Sequence, residues 1–291
     1  IILNFIKSKS GLLTYMNIRF DAAKLLFRLK KINSITCHHE HSYNHAPIIE
    51  AAKEKKVPDF AFQHGTIHPF HPHYIFIQKD INYSPLPTHT IVWGEHWKNI
   101  LINHSIYTSE NTFVLGQTRT DIIPKLKNNY KKRKTTIVYA SQHMQTDAET
   151  ETEIRKKLAY DFLMLTKEYP AINFIIKPHP GEKDAEEYFL KIAAELDAKN
   201  YSITRNDLYL TLADCDCLLT YRSTVASEAI YFKKPVIVLD YEKNDLYNYT
   251  EYPGAVFNVQ DYKELSNLMK LIQSKSLVVN TEMQERFIHN F

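Results

Sequence analysis

The sequence is short of glycine and cysteine, has no long apolar run and carries almost no net charge, and each shortage excludes something. No stretch of the 291 residues reaches the ~18–20 consecutive apolar residues that a membrane-spanning helix needs. The opening Ile-Ile-Leu-Asn-Phe-Ile is too short and wrongly flanked for a secretory signal. Lys and Arg number 36 against 33 Asp and Glu, so the net charge is only +3. A balance this even argues against nucleic acid as a partner. Cysteine occurs three times, at Cys37, Cys215 and Cys217. That odd, small number fits a reducing compartment and a cytoplasmic location. Cys215 and Cys217 lie in the apolar stretch LADCDCLLTY, where buried thiols acting as small hydrophobes explain them better than a metal does. No G-x-G-x-x-G, G-x-x-x-x-G-K-[ST] or G-x-S-x-G is present, which argues against a nicotinamide Rossmann enzyme, a P-loop nucleotidase and a hydrolase elbow.

What is present alternates. Short runs rich in Val and Ile predict strands at 34–39, 58–63, 89–93, 111–115, 135–141, 172–177, 201–204, 216–220, 235–239 and 255–259. Helical patterns fall at 12–31, 45–56, 95–104, 147–168, 184–197, 223–232, 261–273 and 281–290. This order predicts an α/β protein with parallel sheets covered on both faces. Of the six glycines, Gly65, Gly94 and Gly116 follow strand candidates, and Gly181 follows the Pro that ends another. Those are places where the backbone turns sharply or approaches a ligand. The segment DIIPKLKNNYKKRK at 121–134 is basic, polar and broken by Pro124. It divides the chain into a first lobe at 1–121 and a second at 122–291. The chain opens on Ile rather than Met, so a longer parent protein with further strands upstream is expected.

Three motifs carry chemistry. In FIIKPHPGE, 174–182, a buried strand ends in Lys177-Pro178-His179-Pro180. Two prolines stiffen the backbone, and a histidine beside a fixed cation suits an anionic leaving group as imidazolium beside ammonium. In LLTYRSTVASEAIYF, 218–232, a strand leads through Ser223 and Thr224 into a helix. Ser or Thr there caps the helix, and free N–H groups there can hold phosphate; Glu228 on the first turns is placed to meet a ribose diol. In FAFQHGTIHPFHPHYIF, 60–76, His64 follows a strand and is a general-base candidate, with Glu40 after the 34–39 strand as the second. The neighbouring His38, His39, His41, His45, His68, His71 and His73 lack clean ligand spacing, so no metal is expected. Arg119, in VLGQTRTD, follows another strand and is a further donor-binding candidate.

Gln63-His64-Gly65-Thr66, Lys177-Pro178-His179-Pro180 and Ser223-Thr224-Val225 with Glu228 and Ala229 together resemble bacterial GT-B glycosyltransferases of surface and capsule polysaccharides. The likeness is to the Kdo-transferase, polysialyltransferase-like and CDP-glycerol glycerophosphotransferase-like groups, and it covers roughly 36–240. Gly181 stands where Kdo transferases carry an acidic residue, and Tyr221-Arg222 replaces the Asp-Tyr of the teichoic-acid group. The resemblance implies two Rossmann-like lobes with an interlobe cleft, and a final helix that crosses back onto the first lobe. It implies an inverting, metal-independent transfer from a nucleotide sugar, CMP-activated by preference (Kdo or another nonulosonic-type sugar), to a glycan or lipid-linked glycan acceptor. No further cofactor is implied. His179, Ser223 and Thr224 would hold the donor phosphate with Lys177, Glu228 the ribose, and His64 or Glu40 would take the acceptor's proton. The basic helix at 12–31 reads as a solvated face, with peripheral contact at the inner membrane face as the alternative. A UDP-sugar 2-epimerase of the same fold and a non-catalytic nucleotide- or glycan-binding lobe are the rival readings.

Overall fold

The computed structural model describes residues 2–38, 40–78, 86–126, 134–142, 149–243 and 249–291. Two compact units divide the chain: Ile1–Thr118 with Asn290–Phe291, and Arg119–His289.

The first unit opens on helix α1 (Ile2–Leu29). It starts ten residues before the sequence pattern places it, because Gly11 has open space around it and does not break the helix. A glycine inside a helix costs only about 1 kcal/mol, which a long helix absorbs. Strands β1 (Ile35–Cys37), β2 (Asp59–Phe62), β3 (His89–Val92) and β4 (Thr112–Val114) follow, with α2 (Ala46–Glu54) between the first two and α3 (Glu95–His104) between the last two. They form a four-stranded sheet in the order β1-β2-β3-β4, every pair parallel. The last two residues belong to this unit: the Trp97 indole N–H donates to the Phe291 carbonyl at 3.0 Å, and the Phe291 ring stacks on His96 with centroids 4.1 Å apart. Burial holds His96 down at about 4, so the ring is neutral in this packing.

The second unit holds β5 (Thr136–Ala140), α4 (Glu149–Glu168), β6 (Asn173–Lys177), α5 (Ala185–Leu196), β7 (Tyr201–Ile203), α6 (Leu208–Asp214), β8 (Cys217–Thr220), α7 (Val225–Tyr231), β9 (Val236–Leu239), β10 (Val256–Val259), α8 (Tyr262–Gln273) and α9 (Thr281–Asn290). Its six strands run in the order β10-β9-β8-β5-β6-β7. All five pairs are parallel. Strands β5, β8 and β9 are buried along their whole length, as strands covered on both faces must be. Helix α5 shows how the cover is built: Ala185, Phe189, Ile192, Ala193 and Leu196 recur at helical spacing, and all are buried.

Each of the ten strand candidates contains an observed strand. Helix α6 was not foreseen. Asp207 caps it, accepting from the Tyr209 and Leu210 amides. The segment at 121–134 also departs from a plain linker, since Thr118–Lys125 forms a 3-10 helix; residues 127–133 lie outside the described set. Cys215 and Cys217 are wholly buried, as expected of small hydrophobes.

Gly94 supplies a test of the first unit. A Cβ there would lie 2.2 Å from the Asn290 carbonyl oxygen, a backbone atom with no rotamer to change. Gly94→Ala is expected to destabilise the first unit by about 1–3 kcal/mol. Urea denaturation followed by tryptophan fluorescence reads this directly, because Trp93 and Trp97 are the protein's only two tryptophans.

Candidate functional site

In the second unit the strand order reverses between β5 and β8. The chain moves outward through β5, β6 and β7, then returns to place β8 on the other side of β5. Ligands of open parallel sheets settle beyond the strand C-termini at such a reversal. Ala140 is in register with Lys177 on one side and Thr220 on the other. Two strand spacings therefore separate Lys177 from Thr220, about 10 Å. Both second-lobe motifs leave the sheet at one level on this edge.

The Lys177-Pro178-His179-Pro180 turn is held from three sides. Glu182, 2% exposed, accepts from the Ser141 hydroxyl at 2.5 Å and from the His179 amide at 2.9 Å. Arg155 adds an ion pair to Glu182 at 3.4 Å and a closer one to Asp184 at 2.9 Å. Arg205, just past β7, donates to the His179 carbonyl at 3.1 Å and the Glu182 carbonyl at 2.6 Å, while its Nε binds Glu186 at 2.6 Å. That bond pulls the Glu186 carboxyl down to about 2. The loops after β5, β6 and β7 are thereby tied together. The Gly181 amide donates to His179 Nδ1 at 3.0 Å. Nδ1 must then be unprotonated, so the ring is neutral with its proton on Nε2. The ring therefore presents an Nε2–H donor in this turn, where the sequence suggests an imidazolium. Lys177 is nearly buried, and desolvation, followed by the charge of Arg205, lowers its pKa.

The second motif is less open than the sequence implies. Thr224 is the first residue of the α7 cap, but its side chain makes no cap bond; Ser223 Oγ accepts from the Val225 amide at 3.3 Å. Glu228 is 1% exposed, and its Oε1 pairs with Arg119 at 2.6 Å. Arg119 and Glu228, two separate donor-binding candidates in sequence, are thus one ion pair. The Tyr221 hydroxyl donates to Glu242, which also pairs with Arg222.

In the first unit, His64 and Glu40 follow the neighbouring strands β2 and β1. Gln63 fixes the start of the His64 loop: its Oε1 accepts from the Trp93 amide at 2.9 Å, its Nε2 donates to the Gly65 carbonyl at 2.7 Å, and its own carbonyl accepts from the Trp93 indole at 3.1 Å. His64 Nδ1 lies 2.7 Å from the Tyr74 hydroxyl. Glu40 sits in a turn beyond the end of β1 and is 1% exposed. Neither carboxylate oxygen has a hydrogen-bond partner, and His41 Nε2 is 3.7 Å away. Burial raises its pKa to about 7. His39 lies outside the described residues. Among the described residues no three His, Cys, Asp or Glu side chains gather as metal ligands.

Sequence reading missed Tyr74, Ser141, Arg155, Arg205 and the holding role of Glu182. Their partners lie far off in the chain (Ser141 and Glu182 are 41 residues apart), and local spacing carries no signal of that.

No family model matches the chain, and no curated protein does. Solved structures do. The Neisseria meningitidis UDP-GlcNAc 2-epimerase bound to UDP-GlcNAc is similar at a TM-score of 0.64 and 16% identity, over 95% of this chain and 81% of that one. The wall teichoic acid polymerase TagF matches at a TM-score of 0.54 and 20% identity, over 80% of this chain and 64% of that one. Acinetobacter baumannii MurG matches at a TM-score of 0.54 and 12% identity, over 95% and 74%. The fold is that of the GT-B group, an α/β protein with two parallel-sheet units. Among the described residues no helix is long and apolar enough to cross a membrane.

Two substitutions test the geometry. Glu182→Ala leaves Arg155, Ser141 and the His179 amide without their shared buried acceptor. The expected loss is about 3–5 kcal/mol of second-unit stability in chemical denaturation. Glu40 works through pH. Its folded pKa is raised, so the folded state holds a proton that the unfolded state has released between about pH 4.5 and 7. Its contribution is complete below that window and is lost as pH rises through it. Glu40→Gln should flatten this decline and make the first unit more stable than wild type at pH 8, as read by thermal melts across pH 4–8.

Proposed function

We propose that the chain is an enzyme acting on a nucleotide-activated sugar, with the nucleotide phosphates held by the second unit at the C-terminal edge of β5, β6 and β8. The observation that carries this reading is the Lys177-Pro178-His179-Pro180 turn. It is braced by a buried carboxylate and an arginine clasp, and it stands next to the strand-order reversal where such sheets take their ligands. The Nε2–H of His179 and the Lys177 ammonium supply a donor and a charge for a phosphate that gains negative charge as its bond to the sugar breaks. Ser223 and Thr224 flank them. Displacing Arg119 from Glu228 would free a buried carboxylate for a ribose diol.

The reaction we assign is inverting transfer of the sugar to a glycan or lipid-linked glycan hydroxyl, without a metal and with no further cofactor. The acceptor oxygen bonds to the anomeric carbon as the bond from that carbon to the donor phosphate breaks. The hydroxyl proton goes to a first-unit group, His64 first and Glu40 second. A cytoplasmic enzyme, peripheral to the inner membrane face, fits an acceptor of this kind. Likeness to UDP-GlcNAc 2-epimerases supports a second reading, in which the sugar nucleotide is isomerised without an acceptor. It also favours UDP over the CMP expected from the motifs.

A thermal-shift screen against CMP, CDP, UDP and GDP names the donor class. At a hundred times its Kd a ligand adds about 2.7 kcal/mol to the fold. One nucleotide is expected to raise Tm, and His179→Ala is expected to remove most of both the shift and the turnover. A flat response to all four defeats the reading. Incubation with UDP-GlcNAc alone separates the two reactions, since only the epimerase consumes it without an acceptor.

A further inference from the structure

The Tyr74 side chain is fully buried, yet its hydroxyl lies against His64, the histidine in the loop after β2. The loop bearing it is pinned in place. Ser105, the residue after α3, donates its hydroxyl to the Tyr74 carbonyl at 2.8 Å and accepts from the Phe76 amide at 2.8 Å. The Tyr74 amide donates to the His71 carbonyl at 3.1 Å. The Tyr74 ring packs against His64, His71 and His41, with centroids 5.5, 5.0 and 6.3 Å away. No freedom of the loop is needed to bring the hydroxyl to His64.

The hydroxyl has two hydrogen-bond partners among the described residues, and both belong to His64. The His64 amide donates to it at 3.3 Å, and His64 Nδ1 lies 2.7 Å away. A phenol has one proton to give. The amide can only donate, so that proton goes to Nδ1. If Nδ1 carried the ring proton instead, the buried Tyr74 O–H would be left with no acceptor among the described residues. The buried carboxylate of Glu40 does not take it, since neither oxygen has a hydrogen-bond partner. An orphaned buried donor is disfavoured by roughly 5- to 150-fold.

We infer that Tyr74 is a positioning residue that holds His64 in the Nε2–H tautomer, so that His64 meets its ligand as a hydrogen-bond donor. The inference rests on the function proposed above only in taking His64 as the ligand-facing group. It sharpens that reading in one respect. In this tautomer Nε2 has no lone pair for a hydroxyl proton. Uptake there needs the ring proton on Nδ1, with Tyr74 accepting it and turning its own O–H away. The resting site favours an acceptor oxygen in front of His64.

The test is a long-range 1H–15N correlation spectrum of histidine-labelled full-length protein, at a pH where the imidazoles are neutral. His64 is assigned by the signal that disappears in His64→Gln. The expected pattern is a pyridine-like Nδ1 and a pyrrole-like Nε2, with the other tautomer outnumbered at least about five-fold. Tyr74→Phe, which removes only the hydroxyl, should move the His64 Nδ1 resonance and shift the tautomer ratio. A pyrrole-like Nδ1 in the wild type overturns the inference. So do unchanged His64 shifts in Tyr74→Phe. Should Tyr74→Phe fail to fold, the wild-type spectrum alone still decides. None of these outcomes depends on nucleotide binding or turnover, so failure here and failure of the proposed function are separable.

Discussion

Parallel pairing is the constraint on which the rest of the molecule depends. Every strand pair in both sheets is parallel, so within each unit all strands point the same way and their C-terminal ends share one edge. Residues as far apart in the chain as Ser141, Lys177 and Ser223 are collected on the edge of the second sheet without any local signal joining them. Glu40, His64, Gly94 and Gly116 are collected on the edge of the first. Parallel strands also need a crossover between neighbours, which buries both faces of the sheet and leaves the strand ends as the rims where polar groups gather. The strand-order reversal at β5 and β8 then picks out one point of that rim in the second unit.

What gathers there is polar, buried and paired, and its cost explains its form. Glu182 is almost wholly enclosed, and its charge is tolerable because a hydroxyl, an amide and a guanidinium meet it. Its Oε2 accepts from Ser141 after β5 and from His179 after β6, which locks the two loops to each other. Arg205 adds the end of β7. Two prolines flank His179, removing the amide donors at 178 and 180; the amides that remain, of His179, Gly181 and Glu182, are each used within the turn. A turn so fully bonded to itself keeps one geometry, which is what the proposed binding of a phosphate requires.

The strands were legible because a strand buried on both faces must be apolar throughout. Runs such as Thr136–Ala140 and Val236–Leu239 have few other readings. Helix α6 was not foreseen, and α1 starts ten residues earlier than the pattern at 12–31 suggests. The His-Pro and Ser-Thr motifs follow the C-terminal ends of β6 and β8, since local composition records where a strand stops. Pairings were another matter. That Arg119 reaches Glu228, that Glu182 braces His179 and that Tyr74 sits on His64 depends on how strands and loops lie side by side. Sequence spacing is blind to that. Burial was not legible either: carboxylates are mostly exposed in proteins, yet Glu40 and Glu228 are enclosed.

The protonation of the two histidines follows from the same enclosure. Each has Nδ1 engaged by a donor: the Gly181 amide at His179 and, as we infer, the Tyr74 hydroxyl at His64. A donor aimed at Nδ1 favours the neutral ring and fixes the proton on Nε2. Beside the Arg205 guanidinium, which is paired with Glu186, the positive charge at the His179 turn then comes from Lys177, whose pKa is lowered by burial and by Arg205. A turn built this way carries one positive charge fewer than an imidazolium would give it. It avoids the repulsion that two full positive charges beside Arg205 would create, and it still offers an N–H and an ammonium to an anion. The ammonium becomes more favourable as negative charge arrives, because the same desolvation that penalises a lone cation strengthens its pairing with an anion. On the proposed function, stabilisation would therefore grow as charge builds on a departing phosphate, which is the direction catalysis requires.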